Sequence, residues 1–293
     1  MQLHLVDATY ELFRAHYSPR PEIHAPDGRP VGATVGLLYS LLGLLRDEGA
    51  THVGCATDHV IRSFRNRMFA GYKTEVGMPP ELLDQFELAE RAMEALGLVV
   101  WPMVEFEADD ALATAAALWS PARQVERILI CTPDKDLAQC VQEERVVLRD
   151  RRRDRLIDRA GVVDRWGVEP ESIPDYLALV GDSADGYPGL PGWGARSSAA
   201  VLKRFGHLEA IPLDSGEWHV DVRSAGALAA TLRERWPDAQ LYRDLARLRT
   251  DVPLPQRDPQ ELLWQGARRR AWAVLCAELG AATLATRPHR WQD

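Results

Sequence analysis

Residues 127–136 read RILICTPDKD, a short apolar run, Ile128–Cys131, that gives way to two acids, Asp134 and Asp136. The same shape occurs three times upstream. Leu3–Val6 closes on Asp7, Val53–Ala56 closes on Asp58, and Leu98–Trp101 runs on to Glu107, Asp109 and Asp110. Each run is separated from the next by enough chain for at least one helix, which is the rhythm of a parallel α/β sheet. Val35–Leu45 and Leu82–Leu96 carry helical apolar spacing, and Asp109–Trp119 predicts an alanine-rich helix with acids in its first turn. Val146–Leu148 and Leu156–Asp158 flank the polar run RDRRRD and predict a hairpin. Beyond about Asp164 the strand signals fade and helical segments dominate, so a domain change is expected near residue 165.

In open parallel sheets, ligands sit beyond the carboxyl ends of the strands, and here every such end carries acid. Any one of these acids is an ordinary strand-end or turn residue. Turn preferences do not account for all of them together, with the doubled ADD and DKD pairs. Seven carboxylates on one sheet edge repel one another unless cations neutralise them. Hard oxygen ligands without His or Cys select Mg²⁺ or Mn²⁺, and Mg²⁺ is commonly completed by phosphate oxygens of a substrate. Two further acids, Asp182 and Asp185, stand in GDSADGYPGLPGWG, residues 181–194. GLPGWG leads into the helical segment Ala195–Phe205, and a glycine-rich turn before a helix offers backbone N–H groups to a phosphate. It resembles a helix-hairpin-helix, a sequence-independent grip on DNA backbone; a plain loop and helix cap has the same spacing.

The composition narrows the class. The chain has 293 residues, 46% hydrophobic and 27% charged, which excludes disorder and fits two cored domains. No apolar run approaches the roughly 18 residues of a membrane span, and no secretory signal opens the chain, so a cytoplasmic location is expected. Cys55, Cys131, Cys140 and Cys276 lack paired spacing and read as small core residues. The net charge of -8 speaks against a nucleic-acid partner unless the acids are concentrated in a metal site. Of the 35 cations only Lys73, Lys135 and Lys203 are lysine, which leaves 32 arginines and marks the lysines for tasks that suit a compact point charge.

VDATYELFRAHY, TDHVIRSFR, AGYK, EFEADD, TPDKD and GDSADGYPGLPGWG together resemble, in this order, the motifs of the 5′-nuclease family, the flap-endonuclease group that includes the 5′-nuclease domain of family A DNA polymerases. The resemblance covers about residues 1–250. It implies a PIN-like α/β nuclease domain over residues 1–165 and a helical DNA-binding domain with a helix-hairpin-helix over residues 166–293. It implies two Mg²⁺ ions, replaceable by Mn²⁺, and K⁺ at the hairpin. The implied substrate is DNA with 5′ ends, flaps or nicks, the implied enzyme a monomer, and a DNA polymerase a partner. Asp7, Asp58, Glu107, Asp109, Asp110, Asp134, Asp136, Asp182 and Asp185 match the family's metal-site acids. Arg65 and Lys73 match the basic residues that approach the scissile phosphate, and Tyr72 the place of an aromatic that stacks on a base. Gly189, Gly192, Gly194, Arg196 and Lys203 fall in the part that holds duplex backbone. The chain departs from the pattern at Glu75 and Val76, where the family carries a cation for the displaced strand, and at Pro191 and Arg196, which replace hairpin lysines. Two rival readings share these residues: a PIN-like ribonuclease, and a structure-specific DNA-binding protein with little or no catalysis.

Overall fold

The four apolar runs are strands, and they are parallel. The computed structural model describes residues 1–19 and 21–292. In chain order the first elements are β1 (Gln2–Asp7), α1 (Ala8–His16), α2 (Gly32–Arg46), β2 (His52–Asp58), α3 (Arg65–Met68) and α4 (Pro80–Leu83). Then come α5 (Phe86–Ala95), β3 (Val99–Met103), α6 (Ala108–Trp119), β4 (Arg127–Cys131), β5 (Val146–Asp150) and β6 (Arg155–Ile157). Helices α7 (Arg159–Trp166), α8 (Ile173–Val180), α9 (Ala195–Phe205), α10 (Ala225–Glu234), α11 (Trp236–Ala246) and α12 (Arg269–Glu278) follow.

The chain forms two compact units that interleave along the sequence. Unit 1 comprises residues 1–61, 75–132 and 250–293; unit 2 comprises residues 62–74 and 133–249. Compactness therefore does not follow one cut near residue 165.

In unit 1 the strand order is β3-β2-β1-β4, all parallel. β2 is buried along its whole length, as a strand covered on both faces must be. The register sets Asp7 beside Ala56, which brings the acidic carboxyl ends of β1 and β2 to the same side of the sheet. Gly54 makes room for the neighbouring strand's Trp101: a Cβ there would meet the indole at 2.4 Å.

The helix expected over Leu82–Leu96 is two helices, α4 and α5, parted at Asp84 and Gln85. Gln85 is 2% exposed, and its side-chain oxygen accepts from the Thr34 backbone N–H at 3.0 Å and the Thr34 hydroxyl at 3.2 Å. Thr34 lies in the first turn of α2, whose amides have no intrahelical acceptor and whose preceding residue, Val31, supplies no side-chain cap. Gln85, the residue before α5, thus satisfies one of those amides. Residues 250–293, expected in the second domain, belong to unit 1. Trp264 donates from its backbone to Thr51 O at 2.7 Å and from its indole to Leu96 O at 2.8 Å.

Unit 2 contains the antiparallel hairpin β5-β6 and helices α7 to α11. Helices α8 and α9 are joined by residues 181–194, the stretch expected to form the helix-hairpin-helix.

Candidate metal centre

The acids of unit 1 are gathered by helix starts. Asp7 precedes α1 and caps it, accepting from Tyr10 N–H at 2.8 Å, while the Thr132 hydroxyl donates to its other oxygen at 3.0 Å. Asp58 accepts from Ala108 N–H, the first residue of α6, at 2.8 Å. Glu107 precedes that helix, and its own N–H donates to Asp110 at 3.0 Å. The positive end of the α6 dipole therefore stabilises a group of carboxylates that would otherwise repel. Asp7, Asp58, Glu107 and Asp110 are all buried, and Asp109 is half-buried. Both readings of a strand-end acid hold together here: one oxygen secures backbone, and a carboxylate retains lone pairs for a cation.

The acids of unit 2 form a tighter group. Asp136, Asp182 and Asp185 are buried, and each offers an oxygen within 4.8 Å of the others'. Asp136 opens a 3₁₀ turn after β4, where its N–H is held by Asp134 at 2.9 Å. Asp182 and Asp185 lie on the loop after α8. That loop is closed by Gly181 (φ 79°) and Gly189 (φ 69°), whose backbones approach so closely that a Cβ on either would meet the other's main-chain nitrogen within 2.6 Å. Gly189, expected among the DNA-contacting residues, thus shapes the acidic loop. One Asp136 oxygen, although buried, has no hydrogen-bond partner among the described residues. Burial, then the charges of Asp134, Asp185 and Asp182, push the Asp136 carboxyl well above the ordinary range. An all-oxygen donor set of this kind, with an orphaned buried oxygen, fits a hard divalent cation.

Lys73, Tyr72 and Lys135 surround this group. A backbone bond from Lys73 N–H to Asp185 O at 2.9 Å, together with Gly186 lying against Gly71, sets the AGYK loop on the acidic loop. Lys73 Nζ then stands 3.2 Å from Asp185 Oδ1, and Lys135 Nζ 2.8 Å from Asp182 Oδ2. Expected to stack on a base, Tyr72 is instead buried and donates its hydroxyl to Asp185 at 3.1 Å. A ring 3% exposed offers no face to a nucleobase. Arg65, expected at the scissile phosphate, is 1% exposed; its guanidinium donates to Leu245 O at 2.8 Å and Arg247 O at 3.1 Å. It holds the end of α11.

One participant was not anticipated. Tyr187 is 1% exposed, stacked on Tyr242 with ring centres 5.6 Å apart, and its hydroxyl has no hydrogen-bond partner among the described residues. Burial, then the charges of Asp136, Asp185 and Asp182, raise its pKa, so the hydroxyl stays protonated. In the sequence it reads as one more aromatic in a loop.

At the hairpin, a cleft of about 810 Å³ is lined by Gly192, Gly194, Arg196, Ser197 and Ser224, among others, at the start of α9. Gly192 has φ 83°, and a Cβ on Gly194 would point into open space. Lys203 is exposed in the last turn of α9 and does not line the cleft.

Residues 2–167 match the model of the 5′-3′ exonuclease N-terminal resolvase-like domain, and residues 168–270 that of the 5′-3′ exonuclease C-terminal SAM fold. This chain belongs to the 5′-3′ exonuclease family. It is 30% identical to the 5′-3′ exonuclease of Aquifex aeolicus over 71% of each chain. It is 36% identical to DNA polymerase I of Rhizobium leguminosarum over 86% of this chain but only 25% of that protein. A variant of the bacteriophage T5 flap endonuclease, solved as a pseudo-enzyme–product complex with DNA and metal ions, shares the fold. Its TM-score is 0.63 at 18% identity, covering 84% of this chain and 89% of that one. The family match bears out the expected architecture, a PIN-like domain followed by a helical domain. No helix among the described residues is long and apolar enough to cross a membrane.

Proposed function

We propose that this chain is a metal-dependent 5′-to-3′ exonuclease and flap endonuclease that hydrolyses DNA phosphodiester bonds, with Mg²⁺ as its ordinary metal and Mn²⁺ able to replace it. The observation that carries the reading is the buried Asp136, Asp182 and Asp185 group, in which one Asp136 oxygen has no hydrogen-bond partner among the described residues. Family membership and the T5 neighbour's DNA and metal ions support it. Asp7, Asp58, Glu107, Asp109 and Asp110 in unit 1, and Asp134, Asp136, Asp182 and Asp185 in unit 2, are the proposed ligands, directly or through water. When bound, two divalent ions lower the pKa of water and neutralise charge on the attacking and leaving oxygens.

The protein's own groups do the rest. Lys73, anchored on Asp185, presents a point charge to the phosphate as negative charge grows there. Tyr72 orients Asp185 from the opposite oxygen, and Lys135 offsets Asp182. Arg65 acts at one remove, fixing α11 beside the AGYK motif. We assign duplex binding to the cleft at Gly192, Gly194 and Arg196, where first-turn amides and the helix dipole meet a phosphate. A DNA polymerase acting on the gap left behind is the proposed partner.

The test is cleavage of a labelled 5′-flap DNA by the purified chain with Mg²⁺ and with EDTA. Metal-dependent release of 5′ products is expected. Binding without cleavage would favour a structure-specific binding protein, and cleavage confined to RNA a PIN-like ribonuclease.

A further inference from the structure

Asp58 stands between two residues held by one carboxylate. Glu90, on α5, is 7% exposed and belongs to none of the acids assigned above. The Thr57 hydroxyl donates to its Oε1 at 2.7 Å, and His59 Nδ1 lies 2.8 Å from its Oε2. Along a strand successive side chains point to opposite faces, so Thr57 engages α5 on the side away from the Asp58 carboxylate. Asp58 itself is tied at both ends: its backbone N–H donates to Thr9 Oγ1 at 2.8 Å, and its Oδ1 accepts from Ala108 N–H at 2.8 Å. Burying a carboxylate is costly unless its oxygens are bonded, and Glu90 meets that condition only by using both oxygens on the neighbours of Asp58.

We infer that Glu90 is a positioning residue for Asp58. It clamps Thr57 and His59 so that the Asp58 carboxylate keeps the direction a divalent ion requires. The inference rests on the metal-nuclease reading of Asp58. Outer partners that orient a ligand typically govern metal affinity by 10- to 100-fold, which separates this role from packing alone.

The experiment compares the full chain with Glu90→Ala, Glu90→Gln, Thr57→Val and Asp58→Asn. Mn²⁺ binding is measured by calorimetry without DNA, and the Mg²⁺ concentration for half-maximal cleavage is measured in parallel. Glu90→Ala is expected to weaken Mn²⁺ binding and raise the Mg²⁺ requirement, both by about tenfold, while kcat at saturating Mg²⁺ changes much less. Glu90→Gln keeps an acceptor for Thr57 and a donor for the other tautomer of His59, and is expected to restore most of the affinity. Thr57→Val keeps shape and removes one arm, so a smaller loss of affinity is expected even if Glu90→Ala does not fold. In an Asp58→Asn background Glu90→Ala should cost no further metal affinity. Unchanged Mn²⁺ affinity in both Glu90→Ala and Thr57→Val, or a loss that persists undiminished beside Asp58→Asn, overturns the inference. A wild type that neither binds Mn²⁺ nor cleaves overturns the nuclease reading, and this inference with it.

Discussion

Lys135 Nζ lies 2.8 Å from Asp182 Oδ2, inside the motif whose two acids flank the lysine in sequence. Partial burial disfavours the ammonium, yet the bond to Asp182 and the charges of Asp182, Asp136 and Asp134 outweigh it, and the Lys135 pKa is raised. A protonated lysine here offsets part of the negative charge of the acid group, and it competes with a cation for the same oxygen. Lys135→Met is therefore expected to bind Mn²⁺ tighter, by about threefold or more, because a positive charge near the site is gone. Calorimetric titration checks this; weaker binding would mean that Lys135 organises the loop rather than competing for it.

Asp136 gives the second expectation. Its carboxyl is buried beside three other acids and holds a raised pKa, so its ionised form costs folding free energy when no cation is supplied. Asp136→Asn should melt higher than wild type in EDTA, by about 2 °C or more for a shift near 1 kcal/mol. It should also gain less from added Mg²⁺ and lose cleavage. Melting curves with and without Mg²⁺ show both effects, and a mutant less stable than wild type in EDTA would contradict the expectation.

These sites differ in how far the sequence revealed them. The strands of unit 1 were legible because each is a short apolar run that leads on to acid, and sheet topology then dictates where those acids go. Asp182 and Asp185 were legible through spacing and the glycines around them. Arg65 and Tyr72 were not, because a basic or aromatic residue in a motif looks the same whether it meets solvent or a carbonyl; only burial tells them apart. Glu90 was hidden for another reason. Its meaning lies in His59 and Thr57, more than thirty residues earlier, and no periodicity links them. Gln85 is likewise tied to a distant partner, the Thr34 amide in α2, that no local pattern announces.

The hairpin supplies a third test. Gly194 has extended backbone geometry, φ -136° and ψ 173°, so valine is sterically compatible with the turn. Its Cβ would project into open space at the start of α9. Gly194→Val should reduce affinity for duplex DNA about tenfold while sparing cleavage of short single strands, at a modest cost in stability. Fluorescence anisotropy on duplex and single-stranded probes makes the comparison; equal duplex affinity would move the grip elsewhere.

A fourth concerns acid. Glu278, at the end of α12, forms a paired contact with the Arg91 guanidinium at 2.9 and 3.2 Å, and this, with Arg29, holds its pKa below the ordinary value. A depressed carboxyl contributes stability above its unfolded pKa and loses that contribution as pH falls through the folded pKa. Glu278→Gln should thus be less stable than wild type at pH 7, by less than about 1 kcal/mol given its exposure, with the gap shrinking as pH falls below the ordinary carboxyl range. Urea denaturation at pH 7 and at lower pH measures the gap.

Because Trp264 bonds to Thr51 and Leu96, residues that lie far apart in order of synthesis are needed to complete the same unit. Unit 2 is translated before residue 250, whereas unit 1 lacks its last strip until residues 250–293 have been made. At roughly 5–20 residues per second, the first half of the parallel sheet waits for seconds with its flank uncovered. Nascent chains arrested before residue 264 should therefore be digested by protease within residues 1–132 and protected within 133–249, so that the segment made first is the one sealed last.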